Sequence, residues 1–318
     1  MSRRLLAFTV FLVLAPGSAL GAKPASWAAA EIRLLGQDPA SFRGDEPITR
    51  GELAELLTAA GLQPAPVAKP EVPVTIQDLD ARLVAALGLQ PTAKAFADAA
   101  RGAGLAPPSR FGTEVVARLL GLRTNHPAAA DALERLPTQA APRAEAAYSA
   151  AQILKFRGWE LPRLQALAPT FAVPQLTDWQ RRVLTTAFKL VGYPYVWAGT
   201  AKGFDCSGFV WRVYKLQPYA SSGSLAETLQ GRTTYAMSGE IAKAQRIGLD
   251  ALQPADVVFF GSKGPRSKPA DVGHMGIYVG NGWFVHSSRY GVALETLTGW
   301  YRQKFAWARR PIAEAALT

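Results

Sequence analysis

The chain is poor in the residues that build covalent and metal frameworks. Among its 318 residues there is one cysteine, Cys206, and three histidines, His126, His274 and His286. One thiol excludes an internal disulfide and the paired-cysteine spacings of structural zinc sites. The apolar run Leu5 to Ala15 is too short to span a bilayer comfortably, and no later segment is long enough. No block of like charges occurs, although the formal net charge is +11. A basic balance without a binding motif gives no ground for a nucleic-acid partner.

What is present is a chain able to build real cores: 49% of it is hydrophobic, and its length allows two modest domains. Residues 1–22 read as a secretory signal, with Arg3 and Arg4 ahead of the apolar run, a break at Pro16-Gly17, and small residues at Ala19 to Ala22 for cleavage. Its removal leaves a basic chain without a transmembrane anchor, of net charge about +9, which is drawn to anionic polymers outside the membrane. A lone thiol in an exported protein is either an inert buried side chain or a nucleophile.

Residues 23–157 are rich in Ala and Leu at helical spacing, and a short pattern recurs there. Thr49 can cap a helix with Glu52 completing a capping box, ahead of the stripe Leu53, Leu56, Leu57 and Ala60. Pro73 to Leu79 repeats the arrangement, and Arg110 to Val115 and Arg143 to Ala147 echo it faintly. Such recurrence suggests small helical repeats packed on one another. Residues 158–175 hold Pro162, Pro169 and Pro174 with few helix signals, and read as a linker.

From 176 onward the pattern changes. Thr177 and Gln180 start one helix; an apolar helix follows Cys206; short strands are expected at 256–260, 274–279, 282–287, 292–296 and 305–309. Helices followed by consecutive hairpin strands give an α+β fold. In Phe204-Asp205-Cys206-Ser207-Gly208-Phe209, the cysteine falls in the first helical turn, where free amides and the helix dipole favour a thiolate, and Asp205 is the expected N-cap. Gly208 can admit another backbone.

Two histidines lie in neighbouring expected strands, in Gly273-His274-Met275-Gly276 and Trp283-Phe284-Val285-His286. Their cooperation depends on the connection. A regular two-residue turn puts the rings on opposite faces. With Gly280-Asn281-Gly282 as a three-residue or bulged turn, His286 faces Gly276 and lies diagonal to His274 on one face. Cys206 is then a candidate nucleophile, His274 its base and His286 the group that orients the base. His126 reads as a surface residue of the first half. A zinc site made by Cys206, His274 and His286 is the competing reading of the same three residues; no metal or cofactor is expected.

Two resemblances enter here. Trp27-Ala28, the Ile32/Leu35 stripe and Ile48-Thr49-Arg50-Gly51-Glu52-Leu53 resemble an S-layer homology repeat, which implies attachment to anionic wall polymers. Residues 178–311 resemble the NlpC-type cell-wall cysteine peptidases through Gly192-Tyr193-Pro194-Tyr195-Val196-Trp197, Asp205-Cys206-Ser207-Gly208, Leu252 to Phe260, His274 to Gly280 and Phe284-Val285-His286. This implies a papain-like fold in the second half, 176–318, with Cys206, His274 and His286 as triad. Tyr195, together with Asp205 and Ser207, would lie beside the substrate or its oxyanion. It also implies secretion and hydrolysis of peptidoglycan stem peptides, with amidase or acyltransferase chemistry, or a catalytically weak wall-binding protein, as alternatives. Two departures stand out. Ala198 and Ala255 occupy positions where that family usually has glycine, and the insert Ser262 to Asp271 is basic.

Overall fold

The computed structural model describes residues 27–216 and 225–317. The expected signal, residues 1–22, and part of the connection after Leu216 lie outside the described residues. The first half holds α1 (Ala29–Leu34), α2 (Arg50–Ala59), α3 (Ile76–Ala86), α4 (Gln90–Gly102), α5 (Phe111–Leu119), α6 (Arg143–Leu154) and α7 (Glu160–Leu167). The second holds α8 (Asp178–Lys189), α9 (Cys206–Trp211), α10 (Thr234–Gly239), β1 (Val257–Gly261), β2 (Val272–Gly280), β3 (Trp283–Ser288), β4 (Gly291–Thr296), α11 (Gly299–Lys304), β5 (Phe305–Arg309) and α12 (Pro311–Glu314). The strands form one antiparallel sheet in the order β4-β3-β2-β1-β5.

Local chemistry starts the helices where the sequence places them. Thr49 with Glu52, Thr75 with Asp78 and Thr177 with Gln180 make complete capping boxes at α2, α3 and α8. The residues leading into α2, α3 and α6 meet in a closed ring of backbone hydrogen bonds. The Ile48 amide donates to the Ala141 carbonyl (2.9 Å), Ala141 to Val74 (2.9 Å) and Val74 back to Ile48 (3.0 Å). A second tier repeats it, with Arg50 donating to Val72, Ile76 to Gln139 and Arg143 to Glu46, each at 2.9 Å. The three helix starts are thus joined in one cyclic pattern of backbone hydrogen bonds. The fourth echo, at Arg110, starts α5 outside the ring and makes no side-chain cap.

The stretch 158–175 does not behave as a linker. It contains α7, and Phe171 is 2% exposed, in contact with Phe96, Phe188 and Trp283. Prolines 162 and 169 sit in the first turns of their helical segments, where a missing amide costs nothing. Nor does the core divide at this stretch. One apolar cluster runs from Ala28 to Ile312. Phe111 of α5 stacks on Phe188 of α8 (centroids 4.6 Å apart), and Phe96 of α4 meets Trp283 of β3 edge-on at 5.8 Å. Arg110 donates to the carbonyls of Lys189 and Val191, and Arg118 to that of Gly192. A smaller cluster on the other sheet face gathers Val258, Phe260, Phe284 and Phe305.

With this shared core, Phe111→Ala removes a fully buried ring at the junction and lowers stability by about 3–5 kcal/mol. Thermal unfolding followed by fluorescence and circular dichroism will show one transition, shifted as a whole; two separated transitions with only the first displaced would contradict the continuous core.

Candidate active site

Cys206 is the first residue of α9, and the loop before it sets its position. The Phe204 ring is fully buried, and its carbonyl accepts from the Ser287 hydroxyl of β3, tying the helix start to the sheet. Asp205 is the N-cap. Its carboxylate accepts from the Gly208 amide, the Ala198 amide (2.9 Å), the Ser207 hydroxyl (3.1 Å) and Arg232 Nη1 (3.2 Å). One side chain therefore caps the helix, fixes the loop carrying Trp197 and Ala198, and holds an arginine under the cleft. Gly208 is needed because a Cβ there would stand 2.0 Å from the Gly199 carbonyl oxygen.

The histidines are brought together by hairpin parity. Asn281 and Gly282 both have positive φ (49° and 79°), as a tight Asn-Gly turn requires. The register shifts between Tyr278 and Gly280, so that Gly276 faces His286. This bulge puts both rings on the sheet face of Phe260 and Phe284. His274 Nε2 lies 2.7 Å from His286 Nδ1, which leaves His274 Nδ1 outside that contact. Tyr301 of α11 stands edge-on to His286 at 5.2 Å, and with Phe260 and Phe284 walls the pair from water.

Cys206 and His274 open into one cleft of about 680 Å³, also lined by Tyr195, Trp197, Arg232 and Tyr235. The first half supplies part of its wall. Asn125 donates through Nδ2 to the Tyr195 carbonyl and through its amide to the Arg289 carbonyl, and His126 lines the cleft beside it. His126 is not a surface residue: it is 7% exposed, its Nε2 is 2.7 Å from Glu145, and Trp27 packs on its ring. Burial alone would lower its pKa, but the bond to Glu145 and the charges of Glu145 and Glu134 hold it above the ordinary histidine value.

Ionisation at the centre runs against the expectation of a depressed thiol. Burial pushes Cys206 up to about 12, the Asp205 carboxylate adds to this, and the amides of Met275, Ser207 and Cys206 itself only partly offset it. The N-terminal amides of a helix of six residues do not outweigh a nearby carboxylate and a dry setting. Burial likewise pulls His274 down to about 4, and His286 lower than usual. The resting pair is thus thiol and neutral imidazole. Burial, then the charges of Cys206 and Asp205, raise Tyr195 to about 12, so it keeps its proton and can donate.

The structure brings together the sequence-derived residues Cys206, His274, His286, Tyr195, Asp205 and Ser207. Asp205 and Ser207 are committed to internal bonds: the Ser207 hydroxyl donates to Asp205 and accepts from Arg232 Nη1 at 2.7 Å. Arg232, Asn125, His126 and Arg289 were not legible as cleft residues, because nothing local in their sequence signals contacts with residues far along the chain. The two alanines that replace glycine, Ala198 and Ala255, have φ of 56° and 68°. Each is an L-residue held in the left-handed region.

Part of the chain is similar to known proteins. Residues 192–310 match the model of the NlpC/P60 family. A protein of Bacillus subtilis named "probable peptidoglycan endopeptidase LytE" is 36% identical over 131 residues, 41% of this chain and 34% of that protein. The γ-D-glutamyl-L-lysine dipeptidyl-peptidase of the same organism is 32% identical over 118 residues, 36% of this chain and 34% of that one. The crystal structure of an NlpC/P60 family protein from Bacillus cereus aligns with TM-score 0.34 and 27% identity, over 44% of this chain and 42% of the other. The matched region spans about a third of both curated relatives.

Two outcomes follow from the geometry. Ala255→Gly relieves a left-handed conformation costing about 1–2 kcal/mol, less the added freedom of the unfolded chain, and so stabilises by about 0.5–1 kcal/mol in denaturant titration; destabilisation would show that the alanine methyl packs usefully. The pH behaviour is also fixed in sign. His274 must be neutral to accept a proton, so activity is lost as pH falls through its folded value, near 4, rather than near 6.5. Iodoacetamide at pH 6 will label Cys206 no faster than a free thiol, since its proton is held up to about 12; rapid labelling there would establish a resting thiolate.

Proposed function

We propose that this chain, whose residues 192–310 form an NlpC/P60 family domain, is a thiol hydrolase that cuts peptide bonds of peptidoglycan stem peptides outside the membrane. The observation that carries the reading is that His274, bonded to the buried His286, lines the same cleft as the chain's one thiol. Peptidoglycan as substrate draws on the relatives, whose names include peptidoglycan endopeptidase and γ-D-glutamyl-L-lysine dipeptidyl-peptidase.

The chemistry proceeds from the neutral pair. Sγ of Cys206 attacks the scissile carbonyl carbon while its proton passes to His274 Nδ1. His274 Nε2–H donates to His286 Nδ1, which selects the tautomer with Nδ1 free and steadies the imidazolium as it forms. The Cys206 amide and the Tyr195 hydroxyl are the donors for the oxyanion. Collapse expels the amine, which takes the proton from His274 and leaves a thioester. A water deprotonated by His274 then releases the acid and restores the thiol. The first candidate bond is that between γ-linked D-glutamate and the following diamino acid.

The helical half is proposed to attach the enzyme to the wall, supported by the closed ring of repeated helix starts. Incubation with purified sacculi and mass analysis of released fragments checks both parts. The wild type will release fragments newly ended at a stem-peptide bond; Cys206→Ala will lower the rate at least about 10³-fold with the fold retained, and His286→Ala will cost less than His274→Ala. Full activity in Cys206→Ala ends the reading. Release of ammonia, or transfer of the acyl group to an added amine, would assign the triad to amidase or transferase chemistry instead. The inert Cys206→Ala chain will also sediment with sacculi, and its failure to do so at low salt would leave the helices a structural role.

A further inference from the structure

The basic insert between β1 and β2 has no part in the chemistry above, yet it is built rather than loose. The Ser267 hydroxyl is tucked inside and accepts from the Lys263 amide at 3.2 Å, and the Asp271 carboxylate accepts from the Lys268 amide at 2.8 Å. The insert is also locked to α11. Gly264, at φ 57°, lies so close to the Gln303 carbonyl that a Cβ would approach its oxygen to 2.6 Å, and Lys304 Nζ donates to the Ser262 carbonyl at 2.7 Å.

This sets the insert, which carries Lys263, Arg266 and Lys268, against α11, which carries Arg302 and Lys304. The two segments hold a single acid, Asp271, and it is paired with Lys263. Arg266, Lys268 and Arg302 are exposed and make no ion pair among the described residues. Trp300, also of α11, is 56% exposed. A solvated basic face ordinarily mixes in compensating acids and hides its large aromatics. The surface also adjoins the cleft. Pro269 packs on Gly239 of α10, Thr234 of α10 donates to the Val272 carbonyl, and Thr234, Tyr235 and Gly273 line the cleft.

We propose that this surface, formed by Arg266, Lys268, Trp300, Arg302 and Lys304, binds a phosphate-bearing glycopolymer joined to the same wall that carries the substrate. Fixed cations match repeated phosphodiesters, and the exposed indole offers a stacking face for a sugar ring, a combination that a purely acidic peptide would leave half unused. The position at the mouth of the cleft directs the catalytic half toward stem peptides near such polymers. This goes beyond attachment through the helical half, and it rests on the proposed wall substrate.

The test uses the full chain. For binding, Arg266→Gln, Lys268→Gln and Arg302→Gln are combined in a Cys206→Ala background, beside a control of equal charge, Lys155→Gln, Lys189→Gln and Lys243→Gln. Both are sedimented with sacculi before and after hydrofluoric acid strips their phosphodiester polymers. The proposal expects the first set to reduce retention on untreated sacculi at least about fivefold at low salt, the control to reduce it less than twofold, and the difference to vanish after stripping and in high salt. Trp300→Ala should weaken retention in the same direction. Equal retention of both sets, or a loss that persists on stripped sacculi, overturns it, as does equally tight binding to anionic lipid vesicles or duplex DNA. The same triple in the active chain should hydrolyse a soluble stem peptide at the wild-type rate. If the wild type does not cleave that peptide, the hydrolase reading fails, while the retention result still decides the polymer surface.

Discussion

The Asp205 carboxylate is the constraint on which the catalytic centre depends. It is 8% exposed and accepts from two amides, a hydroxyl and a guanidinium. Without it α9 loses its cap, the Trp197–Ala198 loop loses its anchor and Arg232 loses its counter-charge. Burial first, and then this same negative charge, raise the Cys206 pKa. The group that orders the start of α9 thus also opposes ionisation of the thiol there.

Dryness is the second organising fact. The His274–His286 pair lies among Phe260, Phe284 and Tyr301, so neither ring carries charge readily. A neutral imidazole near pH 5 is a competent acceptor, where an exposed histidine would already be protonated. The helical half contributes to the same site, since Asn125 fixes the Tyr195 carbonyl and His126 lines the cleft. Its buried charges, Asp80, Glu114, Glu145, Arg118 and Arg123, sit behind that wall and bind it to the segment at Gly192.

Much of the catalytic half was legible because its signals are local. Strand period, the Asn-Gly turn and the cysteine after an N-cap aspartate are read within a few residues, and the parity of His274 and His286 follows from one bulge. The repeated pattern of a threonine with an acid three residues on revealed two helix starts, though not their closure into a ring with the segment before Arg143. What escaped was set by distant packing. Phe171 made residues 158–175 part of the core despite three prolines. His126 was drawn inward by Glu145. The thiol's protonation was decided by burial that a helix-start argument does not contain.

The ring of helix starts has a consequence for how the chain acquires its structure. Ile48 and Val74 can pair as soon as both have left the ribosome, but Ala141 arrives 67 residues after Val74. Until then α4 and α5 are a looped-out excursion whose aromatic faces have no partner, because Phe188 and Trp283 come later still. Contact order is therefore high for a chain so rich in helices, and folding waits on its last third.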